Sequence, residues 1–202
     1  MKKSLYIAGL LLASSLYGAE STQTENFYVG IGFSNGTGTE TNDWTGGLNT
    51  DTKVDYDSKA FPLSIGMITS KNDRVELSYT NADVDTNEGT SYDIVGIDLN
   101  YDFTLESLRV DQVLPYIGLG IGLYEFKDSG TIYNIQGNED LQGLALNLNL
   151  GLLYNLSKKI EFEAAYQYKN IQWEELESVN SSEKLKVDEE IHSLYVGFNY
   201  KF

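Results

Sequence analysis

Cysteine is absent from this chain of 202 residues, so no disulfide can staple it, and closure or packing must hold its fold. Histidine occurs once, at His192, which leaves little for nucleophilic chemistry, because a serine hydroxyl needs a base beside it. Long apolar runs are missing after the N-terminus and mean hydropathy is negative, which excludes a bundle of membrane-spanning helices. Positive charge is scarce as well: 14 Lys and Arg stand against 30 Asp and Glu, a formal net charge of −16. Nucleic acid is therefore not an expected partner.

What is present begins with Lys2 and Lys3, an apolar run from Leu5 to Ala13, and small residues ending at Gly18 and Ala19. That order describes a secretory signal peptide, residues 1–19 with cleavage near Ala19, although Tyr17 fits the cleavage motif poorly. The apolar run is too short to span a bilayer as a helix. Residues 20–202 then form one domain, large enough for a single closed sheet. Loss of Lys2 and Lys3 takes its net charge to about −18.

Eight segments of this domain alternate apolar and polar residues with a period of two. The last is the clearest: Leu194, Val196, Phe198, Tyr200 and Phe202 share one face, and Ser193, Tyr195, Gly197, Asn199 and Lys201 the other. The others run over Phe27 to Ser34, Phe61 to Met67, Arg74 to Tyr79, Val95 to Phe103, Tyr116 to Leu123, Gly143 to Leu152 and Ile160 to Tyr168. Their polar faces carry Asn, Asp, Glu and Gln in mid-strand, which a closed soluble core does not tolerate unpaired. The apolar faces therefore meet lipid, and the pattern predicts an all-β fold, a closed antiparallel eight-stranded transmembrane β-barrel. Glycines such as Gly32, Gly118, Gly151 and Gly197 fall on the inward face beside Tyr28, Tyr116 and Tyr195, as a narrow barrel needs. Eight strands leave room for side chains and not for a wide channel.

Connections alternate in length, which orients the barrel. Thr69 to Asp73, Thr104 to Val113 and Asn155 to Lys159 read as short periplasmic turns; Asn35 to Asp55, Asn81 to Ser91, Lys127 to Asp140 and Gln172 to Glu189 read as long extracellular loops. Aromatic girdles are expected at Phe27, Tyr101, Phe103, Tyr154, Tyr200 and Phe202 below, and at Phe33, Phe61, Tyr79, Phe126, Tyr168 and Trp173 above. The long loops are acidic, with Glu174, Glu175, Glu177, Glu183, Asp188, Glu189 and Glu190 in the fourth and Asp83, Asp85 and Glu88 in the second. Divalent cations shared with lipopolysaccharide are partners such carboxylates would suit. Asp83 to Gly89 superficially resembles a calcium loop, but its Gly is one place late and no Glu stands at the closing position, so no calcium site is expected there.

Phe27-Tyr28-Val29-Gly30-Ile31-Gly32, the run Pro115 to Gly122 and the ending Tyr195 to Phe202 give the chain its resemblance to a known family. It resembles the small outer-membrane β-barrel proteins of Gram-negative bacteria, the group that includes the OmpA transmembrane domain and the OmpX, NspA and Opa-like barrels. The resemblance covers essentially the whole mature chain. It implies a monomer in contact with outer-membrane lipid and lipopolysaccharide, and a C-terminal signal, Phe198, Tyr200 and Phe202, read by the barrel-assembly machinery. No peptidoglycan-binding domain is expected after Phe202. Some barrels of this kind are lipid A acyltransferases or deacylases. The deacylase-like pattern sets His and Ser two residues apart on one face, whereas His192 and Ser193 are consecutive and diverge, so no catalytic residue, metal ligand or cofactor is expected.

The inward charges support a sharper expectation. Across an eight-stranded ring Arg74 should face Glu161 and Glu163, and Asp102 should face Lys201, plugging the lumen with charge pairs. Two functions remain open at this point. One is a structural, surface-exposed barrel displaying acidic loops. The other is a small cation-preferring pore or a barrel passing an apolar ligand, with Glu76, Asp98, Glu161 and Glu163 as selectivity elements, a reading that strands hidden in the first or fourth loop would strengthen.

Overall fold

Period-two patterning commits the backbone to extended strands, and a sheet of such strands is stable in lipid only if it closes and leaves no edge. A computed structural model describes residues 26–45, 51–69, 71–127, 141–177 and 184–202. The signal peptide and its cleavage site lie outside the described residues. Ten strands follow in order: β1 (Asn26–Thr45), β2 (Asp51–Ala60), β3 (Leu63–Ile68), β4 (Arg74–Thr86), β5 (Ser91–Thr104), β6 (Val113–Phe126), β7 (Leu141–Asn155), β8 (Ile160–Trp173), β9 (Leu176–Glu177) and β10 (Lys184–Lys201). Every pairing is antiparallel, and β10 returns to pair with β1, so the sheet closes. No helix among the described residues is long and apolar enough to cross a membrane.

The ring has eight staves. β2 and β3 are one stave interrupted at Phe61 and Pro62, because proline has no N–H to donate. The ladder bridges the break: Gly32 N–H donates to Pro62 O (3.0 Å) and Phe61 N–H to Asn81 O (3.0 Å). β9 pairs only with the outer end of β10, so it adds no stave and does not widen the lumen. Following the register from Tyr28 through Gly66, Glu76, Asn100, Gly120, Asn147, Lys169 and Ile191 returns to β1 at Gly38, ten residues further on. With eight staves that stagger tilts the strands by about 40–45° and fixes a lumen that side chains can fill.

The short turns sit where expected. In the first, Asn72 takes the left-handed conformation (φ 64°) that asparagine tolerates, and its side chain reaches Glu106 Oε1 (2.8 Å) in the neighbouring turn. Glu106 is itself paired with Arg109 at 2.7 Å, and that hydrogen bond holds its carboxyl below the ordinary value. Phe202 N–H donates to Phe27 O (2.9 Å), closing the β1–β10 seam at its base.

The long connections differ from the expectation. Much of Asn35 to Asp55, Asn81 to Ser91 and Gln172 to Glu189 is strand, because β1, β2, β4, β8 and β10 continue well past the lipid-facing belt. The physical reason is an inversion of polarity. Within the belt the outward residues are apolar and exposed, such as Ile121, Leu146 and Leu194, while the inward ones are polar. Beyond it the outward residues are Lys53, Asp55, Asp57, Asp83, Asp85 and Glu190, all exposed, and the inward ones are apolar: Val84, Ile94, Leu141, Ile171, Leu185 and Val187, all buried. The outer end of the barrel is therefore built like a small soluble β-barrel standing in water, with a hydrophobic core of its own.

Two girdle assignments are corrected by the same inversion. Phe126 and Trp173 point inward, 0% and 4% exposed, and pack on each other with ring centroids 5.7 Å apart. Phe126 shares the parity of inward Tyr116 and Tyr124, and Trp173 that of inward Glu161 and Glu163. Phe33 and Phe61 do stand on the outer face, 5.2 Å apart, as do Tyr200 and Phe202 below at 5.5 Å.

Candidate functional site: the barrel lumen

The lumen is filled at three levels. At the periplasmic end Arg74, the first residue of β4, reaches across to β8, with Nη1 3.3 Å from Glu161 Oε1 and 3.4 Å from Glu163 Oε2. Its guanidinium also lies 4.2 Å from the centroid of the Tyr28 ring. The acceptors are held in turn: Tyr116 Oη donates to Glu163 Oε1 (2.5 Å) and Asn199 Nδ2 to Glu163 Oε2 (3.0 Å), while Tyr28 Oη donates to Glu76 Oε2 (3.0 Å). Arg74 is 1% exposed and Glu161 3%, so this layer is a plug and not a wet rim.

The Tyr28 ring packs closely on Gly66 and the Tyr116 ring on Gly151, on the adjoining strands. A Cβ at either glycine would overlap the ring, so these two positions admit no side chain while the tyrosines stay in place. Lys201 turns to Glu161 Oε2 and Asn155 Oδ1, each at 2.6 Å, and not to Asp102. The expected Asp102–Lys201 pair does not form, because Glu161 stands on β8, the strand that pairs directly with β10, and presents its carboxylate to Lys201 across that seam, whereas Asp102 is on β5. Asp102 sits beside Arg74 in the β4–β5 register, and its Oδ1 has no hydrogen-bond partner among the described residues.

A second cluster lies higher. Lys169 Nζ is 3.1 Å from Asp98 Oδ2 and contacts Tyr124, whose hydroxyl donates to Asp98 Oδ2 at 2.5 Å. Asn147 Nδ2 donates to Asp98 Oδ1 at 2.8 Å. Lys169 is missing from the residues read from sequence. It continues the inward parity of Glu161, Glu163, Ala165 and Gln167, and extending that parity past Tyr168 would have found it. Around these clusters hydroxyl and amide side chains, including Ser34, Ser78, Asn149 and Ser193, line a cavity of about 70 Å³. That is room for a few ordered waters.

The third level is the apolar core of the outer extension, with two carboxyls inside it. Glu40 of β1 and Glu189 of β10 face each other in the register, both buried. Tyr56 Oη donates to Glu189 Oε2 (3.0 Å), Tyr92 Oη to Glu40 Oε2 (3.2 Å) and Asn42 Nδ2 to Glu40 Oε1 (2.5 Å). Glu189 lies beyond Leu194, the last outward apolar residue of β10, so it is outside the membrane belt. Burial, and the neighbouring Glu40, push its carboxyl up to about 8. The loop pattern in the sequence puts Glu189 on an acidic surface, and the structure corrects this. Its alternation with Val187 and Leu185 is the signal that points inward.

His192 and Ser193 point to opposite sides. His192 Nδ1 is 2.6 Å from Tyr166 Oη on the outer surface, whereas Ser193 lines the luminal cavity. The outward Phe198, Tyr200 and Phe202 are 54%, 44% and 69% exposed, forming an apolar face at the base of β10.

Residues 6–202 match the family model described as the outer membrane protein beta-barrel domain. No curated protein sequence matches the chain. Among solved structures, OprG of Pseudomonas aeruginosa superposes with a TM-score of 0.57 at 20% identity, covering 89% of this chain and 97% of that one. Neisserial surface protein A gives 0.55 at 18%, covering 89% and 100%, and AlkL, solved in lipid bilayers, gives 0.55 at 21%, covering 92% and 95%. Likeness at this level of identity concerns the fold. With a closed ring of eight tilted staves, an apolar belt outside, a polar lumen within and a family match over nearly its whole length, the chain belongs to the outer-membrane β-barrel domain proteins of Gram-negative bacteria.

Proposed function

We propose that this protein is a non-enzymatic, sealed barrel with a structural and surface-exposed role, holding an acidic outer extension clear of the membrane. The observation that carries this reading is the buried layer of Arg74, Glu161 and Glu163, roofed by the apolar core of the extension. A hydrated ion entering from the periplasm would have to break the Arg74 pairs, and one entering from outside would have to cross an apolar layer. The acidic exterior, with Asp57 opposite Asp85 and Asp83 opposite Asp93 across strands, favours partners that are cationic or bring cations. Outer-membrane lipid and lipopolysaccharide surround the belt in this reading, and Phe198, Tyr200 and Phe202 are the face offered to the assembly machinery.

Tracer flux from proteoliposomes tests the seal. Release of small cations and of small neutral solutes should match that of protein-free vesicles. Cation-selective release above that background would replace the sealed barrel by a small pore, with Glu76, Asp98, Glu161 and Glu163 as its selectivity elements.

A further inference from the structure

Two carboxyls buried against each other in an apolar core present an electrostatic problem that the rest of the outer extension does not share. Glu40 and Glu189 come from the first and last strands, on the seam that closes the barrel. The groups that face Glu189 are Glu40 and Asn42 from β1, Tyr56 from β2, Tyr92 from β5 and Trp173 from β8, and none of them carries positive charge. Its own neighbours Asp188 and Glu190 stand on the other face of β10, where Asp188 pairs with Lys186 at 2.8 Å. Glu189 Oε1 and Asn42 Oδ1 have no hydrogen-bond partner among the described residues. Two adjacent anions there would repel in a low-dielectric setting with only neutral hydroxyl and amide donors and no facing cation to offset them, whereas one added proton removes the repulsion and gives an unpaired acceptor a donor.

We propose that Glu40 and Glu189 form a proton-held latch: one proton resident on the pair keeps the β1–β10 seam and the apolar cap closed, and its loss loosens the cap.

The direction with pH is set by linkage. Glu189 titrates near 8 in the folded cap, above the ordinary carboxyl value of 4.5. Its contribution to closure is complete below the ordinary value, declines as pH rises, and is gone above about 8. The latch concerns packing of the cap and holds whether or not the lumen beneath it conducts.

The chain's tryptophans make the test direct. There are two, Trp44 and Trp173, and both pack in or against the cap, so intrinsic fluorescence reports on this region alone. The full mature protein, refolded in lipid vesicles, is titrated from about pH 5.5 to about pH 9.5 while emission and acrylamide quenching are followed. The expected result is a red shift and at least about a twofold rise in quenching, centred near pH 8 and reversible, with unchanged far-ultraviolet circular dichroism. Glu189→Gln and Glu40→Gln each remove one of the two charges, and both should stay shielded at every pH. Heat-modifiable migration on gels checks that each variant is folded, and either one suffices if the other is not. A wild-type protein whose quenching does not change across this range would overturn the proposal, as would a transition that persists in the folded variants.

Discussion

Arg74→Ala should lower the unfolding free energy in lipid by roughly 3–5 kcal/mol, the usual cost of stranding the partners of a buried ion pair. Glu161 and Glu163 would be left close together, with Lys201 as the remaining cation, on Glu161. Tyr28 would also lose the guanidinium against its ring. Urea titration in lipid vesicles, followed by far-ultraviolet circular dichroism and gel shift, measures this. The same variant thins the periplasmic plug, so it separates the two roles of the layer. Combining Arg74→Met with Glu163→Gln, which leaves the Glu161–Lys201 pair in place, should recover much of the stability, because the penalty lies in the unpaired charges and not in lost volume. A loss below about 1 kcal/mol in Arg74→Ala would mean that the layer is solvated, as exposed pairs are.

The second large effect is on the outer wall. Leu148 lies mid-way along the belt on β7, outward, between Leu119 and Tyr168 in the register. Leu148→Arg should cost roughly 2–4 kcal/mol, the penalty for a cation at the bilayer midplane. Asp57→Arg, also outward but on the extension, should be close to neutral, since it stands in water and sits opposite Asp85. Equal effects at the two positions would mean that the belt is misplaced along the staves.

The barrel is legible from sequence because lipid imposes one rule on every strand. Leu194, Val196, Phe198 and Tyr200 announce the outward face of β10, and the same period fixes Arg74, Glu161 and Glu163 as inward at matching depth. The outer extension is harder to see because that rule reverses there without a break in the backbone. Lys184-Leu185-Lys186-Val187-Asp188 still alternates, but the apolar residues now occupy the inward parity. A search for strands with apolar residues outward ends at that point, and the residues beyond it resemble a polar loop. Asp102 and Lys201 show a different gap. Parity places a side chain inside, but which of several inward partners a long lysine reaches depends on stagger, and the shift around the ring brings Glu161 to Lys201 first.

Single-cysteine scanning along β10 is the most direct test of the sealed, polarity-inverted barrel, and the absence of native cysteine makes it clean. Spin labels at residues 184–202 would be read for collision with oxygen, which partitions into lipid, and with a water-soluble nickel chelate. Leu194, Val196, Phe198 and Tyr200 should respond to oxygen, while Lys186, Glu190 and His192 respond to nickel. Inward positions Leu185, Val187, Ser193 and Asn199 should be shielded from both along the whole strand. Nickel access at Ser193 and Asn199 would contradict the seal, and an outward face that stays oxygen-accessible above His192 would contradict the inversion.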